Sequence, residues 1–220
     1  MIVAIDGPAG AGKSSVARAV ASELGFRYLD TGAMYRAVAL AALERSIDPH
    51  EPDRIAELAQ NLEIDVRDGG VSVDGVDVTD RIRERDVTEI VPQVSAVSGV
   101  RNAMARHQRV AAMGGDVVIE GRDIGTVIAP NADVKIFLTA SLGERARRRC
   151  AQLGLECDAQ TLKRLSRSIA ARDAADSTRV TSPLEAARDA VVVDTSELSL
   201  EEVVERIIAM IRPGGPAVGA

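Results

Sequence analysis

Aromatic side chains are nearly absent from this chain of 220 residues, which has two phenylalanines, two tyrosines and no tryptophan. So few rings exclude the stacking platforms by which many proteins hold single-stranded nucleic acid. Hydrophobic residues still make up 46% of the sequence, so the core must be built mainly from Ala, Val, Ile and Leu. Positive charge is also in deficit. A net charge of -6 repels polyanions, and we expect neither a nucleic-acid partner nor a membrane surface.

Cysteine is scarce as well, with only Cys150 and Cys157 in the chain. They are too far apart for a CxxC pair and have no histidine nearby, so we expect reduced thiols and neither a zinc site nor a disulfide. His50 and His107 are expected to be exposed and to bind no metal. Long apolar runs are missing too, and Asp6 interrupts the first short one. These absences predict a soluble, cytoplasmic protein.

Lysine is the rare basic residue. Three of the 27 basic side chains are lysines, so arginine supplies the other 24. One explanation is biased codon usage, and the other is forked recognition of phosphate, for which a guanidinium is better suited than an ammonium. Composition alone leaves both open.

Short apolar runs alternate along the chain with longer helical patterns. Such runs are typical of strands buried on both faces of a parallel sheet. Ser199 with Glu202 forms a predicted capping box, and Ser141 with Glu144 repeats it. The pattern predicts an α/β, doubly wound fold. The predicted strands are 2–5, 27–29, 117–119, 134–138 and 191–193.

One stretch departs from this pattern. Residues 62–79 alternate apolar and polar positions with period two, interrupted by Asp68-Gly69-Gly70 and Asp74-Gly75. This alternation is typical of a three-stranded antiparallel meander with one apolar face. With flanking helices expected near 54–61 and 88–98, the segment is predicted to be an insertion on the main sheet.

A glycine-rich loop follows the first predicted strand. The segment GPAGAGKS fits the pattern GxxxxGK[ST] and opens a helix predicted to run through Leu24. Backbone N–H groups of such a loop converge on phosphate oxygens at the positive end of a helix. Lys13 can reach the outer phosphates and Ser14 can ligate Mg²⁺. The chain is therefore predicted to bind ATP or GTP. The residues of this predicted nucleotide site are Gly7, Pro8, Ala9, Gly10, Ala11, Gly12, Lys13, Ser14 and Ser15.

The loop does not specify the reaction. A GTPase needs a guanine-reading NKxD motif, and Asn131-Ala132-Asp133 lacks both its lysine and its spacing. A motor or transporter ATPase ends an apolar run in Asp or Asp-Glu, which VVIE at 117–120 only approximates. A kinase for a small molecule remains, and such an enzyme needs an acceptor site.

Three arginine-bearing segments follow, on the side where parallel sheets bind ligands. They are DTGAMYR at 30–36, EGRDIGT at 120–126 and the stretch 172–179. Together with GPAGAGKSS they resemble the signatures of the bacterial cytidylate kinases, and the likeness runs from Met1 to about Arg212. Adenylate and guanylate kinases share the phosphate loop but neither of the first two segments.

The resemblance implies a P-loop nucleoside monophosphate kinase with a parallel sheet of five strands in the order 2-3-1-4-5, a small antiparallel meander and a helical lid. It implies that a monomer uses ATP and Mg²⁺ to phosphorylate CMP and dCMP. The expected single domain consists of a core at about 1–53, 99–143 and 174–212, a monophosphate-binding insertion at about 54–98, a lid at about 144–173 and a frayed tail at 213–220.

Carried over position by position, the resemblance also implies residue roles. Arg36, Arg122 and Arg179 would grip the acceptor phosphate with Arg172 beside them. Arg101 and Asp123 would read the cytosine edge, and Asp176 would take the sugar hydroxyl. The expected substrate-binding residues are Thr31, Tyr35, Arg36, Arg101, Arg122, Asp123, Arg172, Asp176 and Arg179; the expected catalytic residues are Lys13, Arg122, Arg149, Arg172 and Arg179; the expected metal ligand is Ser14.

The residue chemistry is consistent with these roles. A phosphate monoester has a second pKa of roughly 6, so the acceptor is dianionic at neutral pH and needs no general base. The obstacle is the approach of a dianion to a triphosphate, so catalysis rests on positioning and on cations. Arg145, Arg148 and Arg149 share one helix face by spacing, and a closing lid could move them over the transferred phosphate.

Other interpretations stay open. The arginine-rich helix can be a solvated face, with Arg147 the residue least expected to take part. Arg101 and Arg109 can lie on a helix surface, and Asp30 can merely cap a helix. Glu120 can hold a magnesium-bound water or orient a neighbouring arginine.

The sequence departs from the family at one position. Pro92 stands where many relatives have a serine that helps to read the base. This keeps UMP or another small acceptor open as an alternative substrate. A further alternative is a regulatory module that binds ATP without turnover and recruits a protein partner through the meander.

Overall fold

The computed structural model describes residues 1–67 and 70–212, so the predicted turn at Asp68-Gly69 and the expected fraying of 213–220 lie outside the described residues. Helices and strands alternate as the apolar runs predict. In chain order they are β1 (Ile2–Asp6), α1 (Lys13–Leu24), β2 (Arg27–Asp30), α2 (Thr31–Glu44), α3 (Pro52–Asn61), β3 (Ile64–Arg67), β4 (Gly70–Val73), β5 (Val76–Asp77), α4 (Arg85–Ala96), α5 (Ser98–Ala112), β6 (Val117–Glu120), β7 (Val134–Thr139), α6 (Leu142–Gln152), α7 (Ala159–Ser177), β8 (Val191–Asp194) and α8 (Leu200–Ile211), with a 3₁₀ turn at Arg81–Arg83 and a π-helical turn at Ile124–Ile128.

Five of the strands form one parallel sheet in the order β2, β6, β1, β7, β8. Counted among the strands of this sheet alone, that is the expected order 2-3-1-4-5, so the fold class is confirmed. All five predicted strands are present. Each extends one residue beyond its apolar run, to a polar residue. Those polar ends are Asp6, Asp30, Glu120, Thr139 and Asp194.

Helices cover both faces of β1, the central strand. Val3 and Ile5 are buried in the cluster that contains α1 and α8, whereas Ala4 is buried in the cluster on the opposite face. The edge strands β2 and β8 each have a single fully buried residue. The prediction that every strand is buried on both faces is therefore wrong for these two, because an edge strand has a neighbour on one side only.

A smaller sheet occupies the predicted insertion. The strands β3, β4 and β5 form an antiparallel meander in that order, as the period-two pattern predicts. Ile64 and Val71 form its buried face, in the same cluster as α2. The flanking helices are confirmed as well, and α3 and α4 begin a few residues earlier than expected.

Helices α6 and α7 pack against each other, and side chains cap both. The hydroxyl of Ser141 accepts the N–H of Glu144 at 3.3 Å, and the carboxylate of Asp158 accepts that of Thr161 at 2.6 Å. The predicted capping box of α8 is complete. No helix in the described ranges is both long enough and apolar enough to cross a membrane.

The prediction of two reduced thiols is wrong. Cys150, in the last turn of α6, and Cys157, just before α7, form a disulfide with Cα atoms 5.8 Å apart. The chain reverses between them, since the N–H of Leu155 bonds to the carbonyl of Cys150 at 3.2 Å and Gly154 adopts a φ of 62°. This reversal brings a pair too distant in sequence for a CxxC motif within the usual disulfide range of about 4.4–6.8 Å.

Candidate active site

The glycine-rich loop joins the end of β1 to α1. Gly7, Gly10 and Gly12 have φ angles of 148°, 78° and 89°. Gly7 also approaches β7 so closely that a Cβ would lie 2.1 Å from the carbonyl oxygen of Leu138. The N-cap of α1 is Gly12, which has no side chain to bond the first N–H groups of the helix. The positive end of α1 is thus open to an anion.

Lys13 is half-buried at this loop, with Nζ donating to the carbonyl of Pro8 at 2.8 Å. Burial and then the neighbouring Arg122 and Arg172 lower the pKa of its ammonium group to about 7, against the opposing effect of Glu120 and Asp6. The loop therefore holds a cation that its protein surroundings do not fully balance. Nucleotide phosphates would supply the missing negative charge.

Glu120 holds the hydroxyl that follows Lys13. Ser14 Oγ donates to Glu120 Oε2 at 2.9 Å, and the hydroxyl of Tyr28 donates to the other carboxylate oxygen. Glu120 is 4% exposed, and its burial raises the pKa of the carboxyl group. A hydroxyl and a carboxylate beside a phosphate loop fit Mg²⁺, which takes few protein oxygens and completes its shell with phosphates and water. Within the described residues, no cluster of three or more His, Cys, Asp or Glu side chains forms a separate metal site.

Arg122 and Arg179 share the carboxylate of Asp176. Arg122 Nε lies 3.0 Å from one oxygen, and Arg179 Nη1 lies 3.5 Å from the other. Arg122 also donates to the carbonyl of Gly7 at 2.5 Å, which ties it to the phosphate loop. Burial lowers the pKa of Arg122 to about 10. Two guanidinium groups on one carboxylate leave an excess of positive charge, as a dianionic phosphate requires.

A buried ion pair lies next to this group. Arg101 Nη2 is 2.8 Å from Asp123 Oδ2, and the two side chains are 4% and 7% exposed. The interpretation of Arg101 as a surface residue is therefore wrong. Its guanidinium stacks over the ring of Tyr35, 5.4 Å from the centroid, and its Nε has no partner among the described residues. Arg101 and Asp123 both influence the pKa of Arg179, so the pair and Arg179 lie close together.

The start of α2 is joined to β6. Thr31 Oγ1 donates to the backbone carbonyl of Glu120 at 2.6 Å. Asp30 caps α2, because its Oδ1 accepts the N–H of Ala33 at 3.1 Å. The capping interpretation of Asp30 is thus confirmed.

Arg36 extends from α2 to the insertion, where it donates to Thr88 Oγ1 at 2.8 Å. Burial lowers its pKa first, and Arg172 and Arg83 lower it further. Arg83 is a cation of this site that was not predicted. It lies in the 3₁₀ turn, 3.8 Å from the carboxylate of Asp30. Its charged surroundings in the sequence, RIRER, give no signal that separates it from solvated arginines.

Arg145 bonds to groups of the protein itself. It donates to the carbonyls of Ala140 and Ala9 at 3.0 and 3.1 Å and forms an ion pair with Asp173. The carboxylate of Asp173 in turn accepts the N–H of Ala9 at 3.0 Å. Arg145 therefore clamps α6 and α7 to the phosphate loop.

Arg148 is engaged as well, with bonds of 3.0 Å to Glu144 and 2.9 Å to Thr195 Oγ1. The structure thus separates the three arginines that spacing grouped on one face, because Arg145 and Arg148 bond to protein groups. Arg149 bonds to Gln152 and forms no ion pair in the described ranges.

Arg172 and Arg149 bring the two packed helices to the cation cluster. Burial and then Arg172 lower the pKa of Arg149. Arg172 is exposed on α7 and has no ion pair within the described residues. Arg172 also lowers the pKa values of four other basic side chains, which are Lys13, Arg36, Arg122 and Arg149.

A cavity of about 660 Å³ lies elsewhere, between β2, β3 and the end of α5. None of the predicted site residues lines it. Arg27 in its wall bonds to the carbonyls of Ala111 and Met113. His107, also in the wall, is half-buried and not exposed as expected, and burial lowers its pKa. His50 is exposed as expected.

Asp6 and Asp173 contact the site although neither was assigned a role from the sequence. Asp6 Oδ1 and Oδ2 accept the N–H groups of Ile124 and Gly125 at 2.9 and 2.7 Å. Its position at the carboxyl end of a strand, directly before the phosphate loop, is a signal that could have identified it. Asp173 carries no such signal beyond following Arg172.

The fold and the site define a P-loop nucleotide-binding protein with a cluster of arginines beside the loop. A family model for cytidylate kinase matches residues 3–213. A cytidylate kinase of Halalkalibacterium halodurans is 46% identical over 216 residues, which cover 96% of this chain and 97% of that protein. The chain belongs to the cytidylate kinase family.

The chain is also similar to one much longer protein and to one solved structure of low sequence identity. A bifunctional pantoate ligase/cytidylate kinase of Synechococcus sp. (strain JA-3-3Ab) is 46% identical over 96% of this chain, and the chain spans 40% of the length of that relative. The crystal structure of an uncharacterized protein from Eubacterium ventriosum aligns over 94% of this chain and 96% of its own, with a TM-score of 0.53 and 12% identity. At that identity the likeness concerns the fold alone.

Proposed function

We propose that this protein is an ATP-dependent kinase that phosphorylates CMP and dCMP to CDP and dCDP by in-line transfer. One observation carries the proposal: the buried pair of Arg101 and Asp123 lies beside the cations that surround Lys13. Such a transfer needs a loop that binds the donor, cations that bind the phosphates of both substrates, and polar groups that bind one base.

The ion pair is complementary to cytosine. The base presents an amino group that donates, and a ring nitrogen and a carbonyl that accept. Asp123 can accept from the amino group, and the buried, unpartnered Nε of Arg101 can donate to an acceptor. Uracil has a carbonyl in place of that amino group, so a carboxylate opposite it disfavours UMP. This reading of the base needs no hydroxyl at Pro92, which lies exposed within α4.

We assign the phosphates to the cations. Lys13 would reach the outer phosphates of ATP, with the backbone of the loop around them. Arg36, Arg122 and Arg179 would hold the acceptor phosphate, with Asp176 on the sugar hydroxyl. Arg149 and Arg172 would contact the transferred group. Thr31 and Tyr35 would support the acceptor pocket through their contacts with Glu120 and Arg101.

The protein does little covalent chemistry in this mechanism. The acceptor phosphate is already dianionic, so no side chain has to remove a proton. The side chains of Arg122 and Arg179 are 17% and 11% exposed, so these two cations lie in a region of low dielectric, where they would stabilise the charge that develops between donor and acceptor. Ser14, oriented by Glu120, would hold Mg²⁺, which neutralises phosphate charge when bound.

The chain organisation follows from these roles. We assign a single kinase domain with a monophosphate-binding insertion at about 54–98 and a lid at about 144–173, which carries Arg149 and Arg172. We propose that the enzyme acts as a monomer in the cytoplasm, with ATP, CMP and dCMP as its partners.

A coupled assay of ADP release over CMP, dCMP, UMP, AMP, GMP and dTMP tests the function. We expect turnover with CMP and dCMP well above that with the others. The variant Asp123→Asn should narrow the preference for CMP over UMP, because an amide can donate to the uracil carbonyl. Asp133→Asn, an exposed carboxylate at the opposite end of the sheet, is the matched control.

Two outcomes would contradict the proposal. A clear preference for AMP, GMP or dTMP would assign the pocket to another base. ATP binding with negligible turnover for every monophosphate would indicate a regulatory module.

A further inference from the structure

Asp6 is a buried carboxylate for which the proposed mechanism has no use. It is 4% exposed and stands at the end of β1, directly before Gly7. Its two oxygens accept the backbone N–H groups of Ile124 and Gly125. Each oxygen therefore has one backbone partner, and both partners belong to the segment that follows Asp123.

The two N–H groups belong to the first turn of the π-helical segment that follows Asp123. The side chain just before the helix caps α2, α6, α7 and α8, whereas α1, α3, α4 and α5 begin without such a cap. The π-helical turn also begins without one. Asp123 occupies its N-cap position, but its side chain makes no capping bond and pairs instead with Arg101.

Asp6 takes over the cap that Asp123 leaves vacant. An aspartate at an N-cap can bond either its own helix or another group, and here those two demands compete. Because Asp6 satisfies the N–H groups from a neighbouring strand, Asp123 is free to face Arg101. A second bond joins β1 to this segment, because the N–H of Gly121 donates to the carbonyl of Ile5 at 3.0 Å.

We propose that Asp6 is a positioning residue for the acceptor base: by capping the turn at Ile124 and Gly125 it keeps the carboxylate of Asp123 directed to Arg101 and the substrate. This inference rests on the proposed function, in which Asp123 reads the base. It also links the two substrates, since Asp6 precedes the donor loop while the segment it caps belongs to the acceptor site.

The variant Asp6→Asn tests this role, because asparagine keeps the size but can accept only one of the two N–H groups well. We expect the KM for CMP to rise by about tenfold to a hundredfold, whereas the Kd for ATP changes by less than about threefold. The control is Asp133→Asn, which weakens a carboxylate bond to the N–H of Ile2 at the other end of β1 and should leave both constants unchanged.

A double-mutant cycle separates positioning from general damage. If Asp6 acts through Asp123, then Asp6→Asn should cost much less in the Asp123→Asn background than in the wild type. Equal losses in both backgrounds, or parallel changes for CMP and ATP, would overturn the proposal. Should Asp6→Asn fail to fold, Asp6→Glu is measured in the same way and judged by the same outcomes.

The wild type is assayed with the whole panel of monophosphates in the same experiment. A wild-type preference for another base would count against the proposed function. The cycle would then be measured with that preferred acceptor, so the role of Asp6 stands or falls separately.

Discussion

Two sets of basic side chains near the phosphate loop differ in whether a carboxylate pairs with them. Arg145 and Arg148, on α6, each have a carboxylate partner, Asp173 or Glu144. The second set has no ion pair within the described part of the chain, although its members lie close enough to lower one another's pKa values. This second set consists of Lys13, Arg36, Arg149 and Arg172.

The difference separates cations that build the site from cations available to a ligand. Burial lowers the pKa values of Lys13, Arg36 and Arg149, and no neighbouring carboxylate restores them fully. Such groups gain most when phosphates enter, because the incoming charge removes their mutual repulsion. A paired arginine gains less, since its charge is already balanced.

The largest expected effect comes from removing a cation of the unpaired set. In Lys13→Ala we expect kcat to fall by about a thousandfold or more, because in the proposed mechanism Lys13 contacts the outer phosphates of ATP. The fold should stay intact, since no ion pair is broken. Turnover and circular dichroism measure the two. Near-normal turnover in soluble protein would place Lys13 with the structural cations.

Helices α6 and α7, the proposed lid, allow the sharpest test. Arg149→Ala and Arg172→Ala should each lower kcat by about a hundredfold with little change in thermal stability. Arg145→Ala should do the opposite and lower stability by about 2 kcal/mol, or roughly 5 °C in Tm, because it leaves the half-buried Asp173 unpaired.

The exposed Arg147, which neighbours both sets in sequence, supplies the control. Arg147→Ala should change neither turnover nor Tm. If Arg145→Ala lowered kcat as much as Arg149→Ala without a loss of stability, the division between the two sets would fail.

Asp176 provides an intermediate case, since it is the carboxylate shared by Arg122 and Arg179. In Asp176→Ala we expect the kcat/KM for CMP and dCMP to fall by different factors, about threefold to tenfold apart, because only CMP carries the 2′-hydroxyl. Steady-state kinetics with both acceptors measure this. Equal losses would mean that Asp176 only balances the two arginines and does not contact the sugar.

The smallest expected effect is the uptake of a proton when ATP binds. Because the pKa of Lys13 is lowered to about 7 in the free protein, the group is largely neutral at about pH 8. Bound phosphates raise that pKa, so ATP binding should take up to about one proton above neutral pH, and its affinity should fall as the pH rises. Calorimetry in buffers of different ionisation enthalpy measures the uptake. Binding without uptake would show that Lys13 is balanced by the protein, and Lys13→Ala serves as the reference.

The fold was predictable to a large extent because burial and periodicity determine it. The apolar runs located all five strands of the sheet, and the period-two alternation located the meander. Each strand was predicted one residue short, since the apolar criterion stops at the first polar side chain. Those omitted ends include Asp6 and Glu120, so the criterion that finds the core overlooks residues at its functional edge.

The site was predictable where a motif fixes the backbone and less so where contacts cross between elements. The loop around Lys13 follows from glycine positions alone. Spacing along α6 put Arg145, Arg148 and Arg149 on one face, but the first two bind groups from the phosphate loop, α7 and the residue just after β8. Helical spacing carries no information about those distant groups.

The disulfide between Cys150 and Cys157 closes a ring of chain at the turn between α6 and α7. Residues 151–156 within that ring are exposed, so a protease can reach them. A single cut there would leave the two fragments covalently joined, and the protein would keep its full mass on a gel run without reductant. Only reduction would separate the fragment that carries the phosphate loop from the one that carries Arg172.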